Sequence, residues 1–365
     1  MTRTFDRKII LEDGEEYPGF SFGAVEDRVL EIVFNTSCVG YQEILSDPSY
    51  TDQAVVMTNP LIGNYGMAED DYETLTPSVG AMIVREYNPE PSNFRSVESL
   101  GDVMSRFGVC GMWGADTRRL GRSIRDRGSR KALITSASLP REKGLEILRN
   151  AVIPADAVSR VSCGRPWQSR SPGDRYHVAA IDCGMKLNIV RCLNALSCGV
   201  TVVPWDTPAG DIRALKPDGL FISNGPGDPG DVPQTARTVR ALLGELPVFG
   251  ICLGHQIVSL AYGAKTYKLK FGHRGGNHPV RDLDTGKIEI TSQNHSYAVD
   301  PASLADTPLR QTHVNLLDGT VEGVCCDRDG VFAVQYHPEG APGPRDSMYL
   351  FKRFLELMEG SGSHA

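Results

Sequence analysis

The chain has 365 residues, 41% hydrophobic and 23% charged, which is more than one ordinary core needs and predicts two globular domains. Its formal net charge of −7 argues against nonspecific nucleic-acid binding and favours small-molecule or protein partners. No apolar run approaches the roughly 18 residues of a membrane span.

The start, M-T-R-T-F-D-R-K-I-I-L-E-D-G-E-E, is charged throughout and lacks the apolar stretch of a secretory signal, so a cytoplasmic location is expected. The segments I-I-L-E-D-G and V-L-E-I-V-F-N-T-S read as β-rich, and a charged helix is predicted over Thr117 to Arg127. The polar run from Arg160 to Asp174 is rich in Ser, Pro and Gly and reads as a domain linker. The expected division is therefore a first domain at 1–160, a linker at 161–175, a second domain at 176–360 and a frayed tail at 361–365.

After the linker, strand alternates with helix. His177 to Asp182, Gly199 to Pro204, Gly219 to Ser223 and Pro247 to Ile251 are short apolar runs bounded by Gly and Pro, and Lys186 to Leu196 has helical spacing. The expected fold class is α/β: a doubly wound, mostly parallel sheet in the second domain, with a separate β-rich α/β domain before it. In such sheets chemistry sits beyond the carboxyl ends of the strands. Cys183, Gly225-Pro226-Gly227 and Cys252 all fall at such ends.

P-V-F-G-I-C-L-G, residues 247–254, brackets Cys252 between Gly250 and Gly254. This is the sulfur counterpart of the G-x-S-x-G elbow, a sharp strand-to-helix turn that predicts an exposed, strained nucleophile. The helix that follows directs its amino-terminal dipole at the sulfur and favours the thiolate. His337-Pro338-Glu339 follows an apolar strand pattern, Val331 to Tyr336, and extended backbone would place His337 and Glu339 on one side. Together they form a candidate thiol triad. A buried structural role is the commoner reading for the other eight cysteines; Cys183, which also follows a strand, stays open as a competing nucleophile but lacks the preceding glycine. S-N-G-P-G-D-P, residues 223–229, reads alone as a tight turn; beside an elbow, its amides and that of Leu253 can form an oxyanion hole.

Two stretches, K-F-G-H-R-G-G-N-H-P-V (270–280) and S-Q-N-H-S-Y-A-V (292–299), are dense in binding groups. His273, His278 and His295 are not at a common ligand spacing, and no C-x-x-C occurs among the nine cysteines, so no metal site is expected.

G-I-C-L-G-H-Q with a distant H-P-E and an upstream N-G-P-G-D-P resembles the class I, triad-type glutamine amidotransferases over residues 176–358. The runs at 34–50, 59–66, 116–120, 270–280 and 293–299 are similar to the small-subunit family of the carbamoyl phosphate synthetases, extending the resemblance over nearly the whole chain. The resemblance implies Cys252 as nucleophile, His337 as acid-base and Glu339 as its orienting partner. It implies L-glutamine contacts at Ser49, Gly225, Gly227, Leu253, Gln256, Asn294, Ser296 and Tyr297, with Ser296 and Tyr297 standing where Gly and Phe are frequent. It also implies no cofactor on this chain, and a large subunit that holds ATP and its metal ion and receives ammonia. No G-x-x-x-x-G-K-[ST] motif occurs here, in keeping with that division. The alternatives are an amidotransferase subunit of another pathway, which would lack a comparable first domain, and a non-catalytic regulatory scaffold.

Overall fold

In a computed structural model, residues 4–362 are described and fall into two compact units, Met1–Pro154 and Ala155–Ala365. The last helix, Tyr349–Gly362, runs into the expected tail, and the rest of that tail lies outside the described residues. The expected linker is corrected: the division falls at Pro154, and residues 161–175 belong to the second unit. There Trp167–Ser169 is a strand paired antiparallel with Cys198–Pro204, in the register Trp167↔Val202. Its polar composition is that of an exposed edge strand, which such residues also suit.

In the first unit seven strands close into a barrel, ordered Arg7–Leu11, Glu16–Gly23, Cys110–Trp113, Ala81–Ile83, Gln53–Met57, Arg28–Asn35, Arg130–Ser136. Closure removes open sheet edges. Val33, Val55 and Met82 pack from one face of their strands against Leu100, Val103 and Met104 of the helix Leu100–Arg106. The helix Thr117–Arg127 spans the predicted residues: Asp116 accepts from the Arg119 amide at 3.0 Å as its cap, and Leu120 and Ile124, four apart, are buried while its arginines face outward.

The second unit is built on a ten-stranded sheet. Cys198–Pro204, Tyr176–Asp182, Gly219–Ile222, Val248–Ile251 and Val331–Val334 are parallel neighbours in that order. Alternate residues serve opposite faces: Ala179 and Ile181 pack with the helices Pro233–Leu242 and Leu253–Ala261, while Val178 and Ala180 pack with Leu187–Asn194 and Tyr349–Gly362. Burial on both faces explains why Val331–Val334 is buried throughout rather than alternating.

The expectation of a mostly parallel sheet is corrected, because the sheet is mixed. Thr266–Asp282 and Ile288–Val299 form a long hairpin, and Arg310–Asn315, Val321–Cys326 and Val331–Val334 continue antiparallel. Strands joined by turns as short as Leu283 to Lys287 can only pair antiparallel, whereas parallel pairing needs a crossover. The two stretches read as binding segments are thus strands of this hairpin.

Candidate active site

The elbow at Cys252 is dictated by contact. A Cβ on Gly250 would stand 2.8 Å from the carbonyl group of Gly254, and one on Gly254 would run into the carbonyl of Ile222 on the neighbouring strand. Only glycine lets strand, turn and helix approach this closely. Cys252 itself takes φ 55 and ψ −105, a conformation that non-glycine residues rarely adopt, and its amide donates to the Val334 carbonyl at 2.9 Å. The strain is as the motif predicts, but the exposure is not: Cys252 is only 2% exposed, because its Sγ turns under the hairpin and donates to the Asn294 carbonyl at 3.5 Å.

Val248–Ile251 and Val331–Val334 are adjacent parallel strands, in the register Ile251↔Val334, so their carboxyl ends bring Cys252 and His337 together from 85 residues apart. His337 is held by its amide, which donates to Ser292 O at 2.9 Å, and its Nδ1 meets Glu339 Oε1 at 2.7 Å. The pair does not meet across extended backbone, as the spacing suggests. Gly340 N–H donates to His337 O at 3.1 Å, so Pro338 and Glu339 form a turn that folds the carboxylate back under the ring. His337 and Glu339 are each 2% exposed.

Burial alone would lower the His337 pKa, but the Glu339 carboxylate and Cys252 outweigh it, against opposition from Lys186, and hold the ring in the imidazolium form. Nε2, the nitrogen away from Glu339, makes no closed hydrogen bond among the described residues, leaving it available for proton transfer. Burial would raise the Glu339 pKa; Lys186 and His337 overcome this and keep it ionised.

Lys186 escaped the sequence reading. Its ammonium is buried, 2.9 Å from Glu339 Oε1 and 2.5 Å from Gly340 O. Asn188 Nδ2 donates to Glu339 O at 2.6 Å, so the start of one helix fixes the carboxylate in position and charge. In Glu339→Gln the negative charge that raises the His337 pKa is gone while Lys186 remains. The imidazolium exists below that pKa and is lost as pH rises through it, so the alkaline fall in activity is expected to move about 1 to 3 pH units lower. A pH profile of turnover checks this.

Gly225 lies against the elbow: a Cβ there would run into the Cys183 carbonyl and stand 2.8 Å from Leu253 Cδ2. Gly227 has φ 86. Leu253 is the first residue of its helix, where an amide has no carbonyl within the helix to serve. Cys183 is fully buried, and burial followed by the charge of Asp182 pushes its thiol pKa upward, the opposite of a nucleophile's environment.

Gln256 Nε2 donates to Tyr297 O at 2.8 Å and to Gln335 Oε1 at 2.9 Å, tying the helix behind Cys252 to the hairpin. Arg274 donates to Ser296 Oγ at 2.5 Å and to Phe271 O at 2.8 Å, a use for the hydroxyl that a glycine could not offer. Asn294, Ser296 and Tyr297 follow one another on the strand Ile288–Val299, whose Asn294 carbonyl covers the sulfur. Gln335 and Arg274 also escaped notice; their roles depend on partners remote in sequence. Ser49 belongs to the first unit, in the turn Pro48–Tyr50, where Asp47 accepts from its amide at 2.9 Å.

The histidines behave differently from their sequence spacing. His273 and His295 come together with Glu322, and the ring of His278 lies 5.2 Å from that of His273.

A buried Cys-His-Glu array on an elbow between a parallel strand and a helix defines the class, and residues 179–357 match the family described as glutamine amidotransferase class-I. Residues 9–134 match the carbamoyl-phosphate synthase small chain, CPSase domain. A carbamoyl phosphate synthase small chain of Fusobacterium nucleatum is 47% identical over 98% of this chain and 99% of its own. One of Staphylococcus epidermidis is 48% identical over 97% and 96%, and one of Listeria innocua 47% over 96% of each. The chain belongs to the carbamoyl phosphate synthase small chain family.

Proposed function

We propose that this chain is the glutaminase subunit of a glutamine-hydrolysing carbamoyl phosphate synthetase. The observation that carries the reading is the buried Cys252-His337-Glu339 array in a chain matched along nearly its whole length by small chains. The parallel part of the sheet, with helices on both faces, supports a doubly wound amidotransferase domain.

The Cys252 thiolate attacks the side-chain amide carbon of L-glutamine, and the negative charge moves to oxygen. Amides of Leu253 and of the Gly225 to Gly227 loop stabilise that oxyanion. His337 gives its proton to the departing nitrogen, so ammonia leaves neutral and a γ-glutamyl thioester remains. The ring then takes a proton from water, hydroxide adds to the thioester, and the thiolate leaves to yield glutamate. Glu339, held by Lys186, orients the ring and stabilises its charged form. Ser49, Gln256, Asn294, Ser296 and Tyr297 are the further glutamine contacts of this reading.

Ammonia loses its lone pair on protonation in bulk water, so the product is of most use when handed directly to a partner. That partner is a large subunit holding ATP and its metal ion, which makes carbamoyl phosphate from bicarbonate. The test is incubation of the purified chain with L-glutamine, alone and with the large subunit. Equal release of glutamate and ammonia, and carbamoyl phosphate from either glutamine or ammonium in the complex, are expected. A chain that binds the partner but releases no ammonia would be the regulatory scaffold instead.

A further inference from the structure

The antiparallel half of the second unit holds a buried polar cluster that the glutaminase chemistry does not use. His273, His295 and Glu322 are 6%, 5% and 0% exposed. One potential ligand atom from each lies within 4.8 Å of the others.

Hydrogen-bond accounting shows how the rings are set. His273 Nε2 donates to the Asp318 carboxylate at 2.8 Å, and its Nδ1 faces Glu322 Oε1, 3.6 Å away, with the Asn315 amide nitrogen 3.5 Å from the same Nδ1; against the cost of burial, the two carboxylates favour the ring's charged form. His295 Nδ1 meets the Tyr297 carbonyl at 2.7 Å, which leaves Nε2 with the lone pair. Yet that Nε2 faces another acceptor, Gln293 Oε1, at 2.8 Å. A neutral imidazole has one N–H and cannot donate to both. Turning the Gln293 amide does not resolve this, since its Nε2 donates to Glu322 Oε2 at 2.9 Å.

Glu322 is a fully buried carboxylate that accepts from Asn315 Nδ2 and Gln293 Nε2, each at 2.9 Å; no lysine or arginine is paired to it among the described residues, and its nearest cationic group is His273. Asp318 adds a second carboxylate to the same ring. Two imidazole nitrogens and a carboxylate thus converge where the single proton on His273 faces two carboxylates, a proton that a divalent ion would displace and outdo in charge. Each histidine is oriented from behind by a carboxylate or a carbonyl, the outer-shell arrangement of metal-binding histidines.

We propose that His273 Nδ1, His295 Nε2 and Glu322 bind one divalent transition-metal ion, as a structural site separate from the thiol chemistry. Nitrogen and carboxylate donors suit zinc-like ions, and ligands on a tetrahedral zinc at about 2.0–2.1 Å stand roughly 3.4 Å apart, close to the His273–Glu322 separation. The site would pin the strand bearing Asn294, Ser296 and Tyr297, since His295 sits among them.

The test uses the full-length chain without a histidine tag, purified without chelator. Elemental analysis is expected to find about one equivalent of zinc or a similar ion, and the chain stripped and reloaded with Co²⁺ to show d–d absorption of a low-symmetry His/carboxylate site. Glu322→Gln should abolish binding. Asp318→Asn, a half-exposed position where misfolding is less of a concern, should weaken it roughly 10- to 100-fold. Metal content well below one equivalent with no Co²⁺ band, or both variants binding as the parent does, would overturn the proposal. These readouts do not depend on glutamine hydrolysis, so they succeed or fail separately from the proposed activity.

Discussion

In Cys252→Ser, glutamine-dependent ammonia release is expected to fall by about 10⁴- to 10⁶-fold, while added ammonium still supports carbamoyl phosphate synthesis by the complete complex. The serine hydroxyl is a far weaker acid than a thiol, so placing oxygen where sulfur stood removes the nucleophile on which the reaction depends. The substitution is nearly isosteric at a buried elbow, and the donor role toward the Asn294 carbonyl remains possible, so the fold should persist. Assaying the complex with each nitrogen source separates the two steps. Loss of the ammonium-dependent activity as well would count against the division of labour between subunits.

A second large effect is expected at His337. In His337→Asn the acid that protonates departing nitrogen and the base that activates water are both removed. Turnover should fall by a comparable factor of about 10⁴ or more, with the two half-reactions affected unequally. A cysteine retains some thiolate at neutral pH, so the thioester still forms slowly. Its hydrolysis requires deprotonating water, a far weaker acid, and is slowed further. The variant is therefore expected to accumulate with a γ-glutamyl group attached, whereas the parent enzyme turns over. Glu339→Gln should be milder, because Glu339 touches the ring and not the reacting atoms.

The parts of this site that were legible in the amino-acid sequence are those in which one local contact demands one residue type. Gly250 and Gly254 are bare because the Gly254 backbone leaves no space for a side chain on the first and the Ile222 carbonyl none on the second, so the elbow shows as a spacing. The helix Thr117–Arg127 was legible because Asp116 caps it and Leu120 and Ile124 repeat at helical spacing. Lys186 was not, since nothing within a few residues of it signals a carboxylate 153 positions away. The same holds for Gln335 behind Gln256 and for Glu322 between two histidines. Burial of Cys252 was missed for a related reason: the hairpin strand that covers it is remote in sequence. The linker reading failed because exposed edge strands and flexible joints draw on the same polar residues, and only the pairing of Trp167 with Val202 separates them.

Cys252 and Cys183 both follow parallel strands, yet one sits strained at a helix start beside an imidazolium and the other is sealed in the core beside a carboxylate. The central claim is that only the first is the nucleophile. Acid-quenched mass spectrometry of peptides from the His337→Asn chain mixed with L-glutamine tests it directly. The account predicts a γ-glutamyl adduct on the peptide containing Cys252 and on no other. An adduct on Cys183, or glutamate release with no adduct on any cysteine, would contradict it.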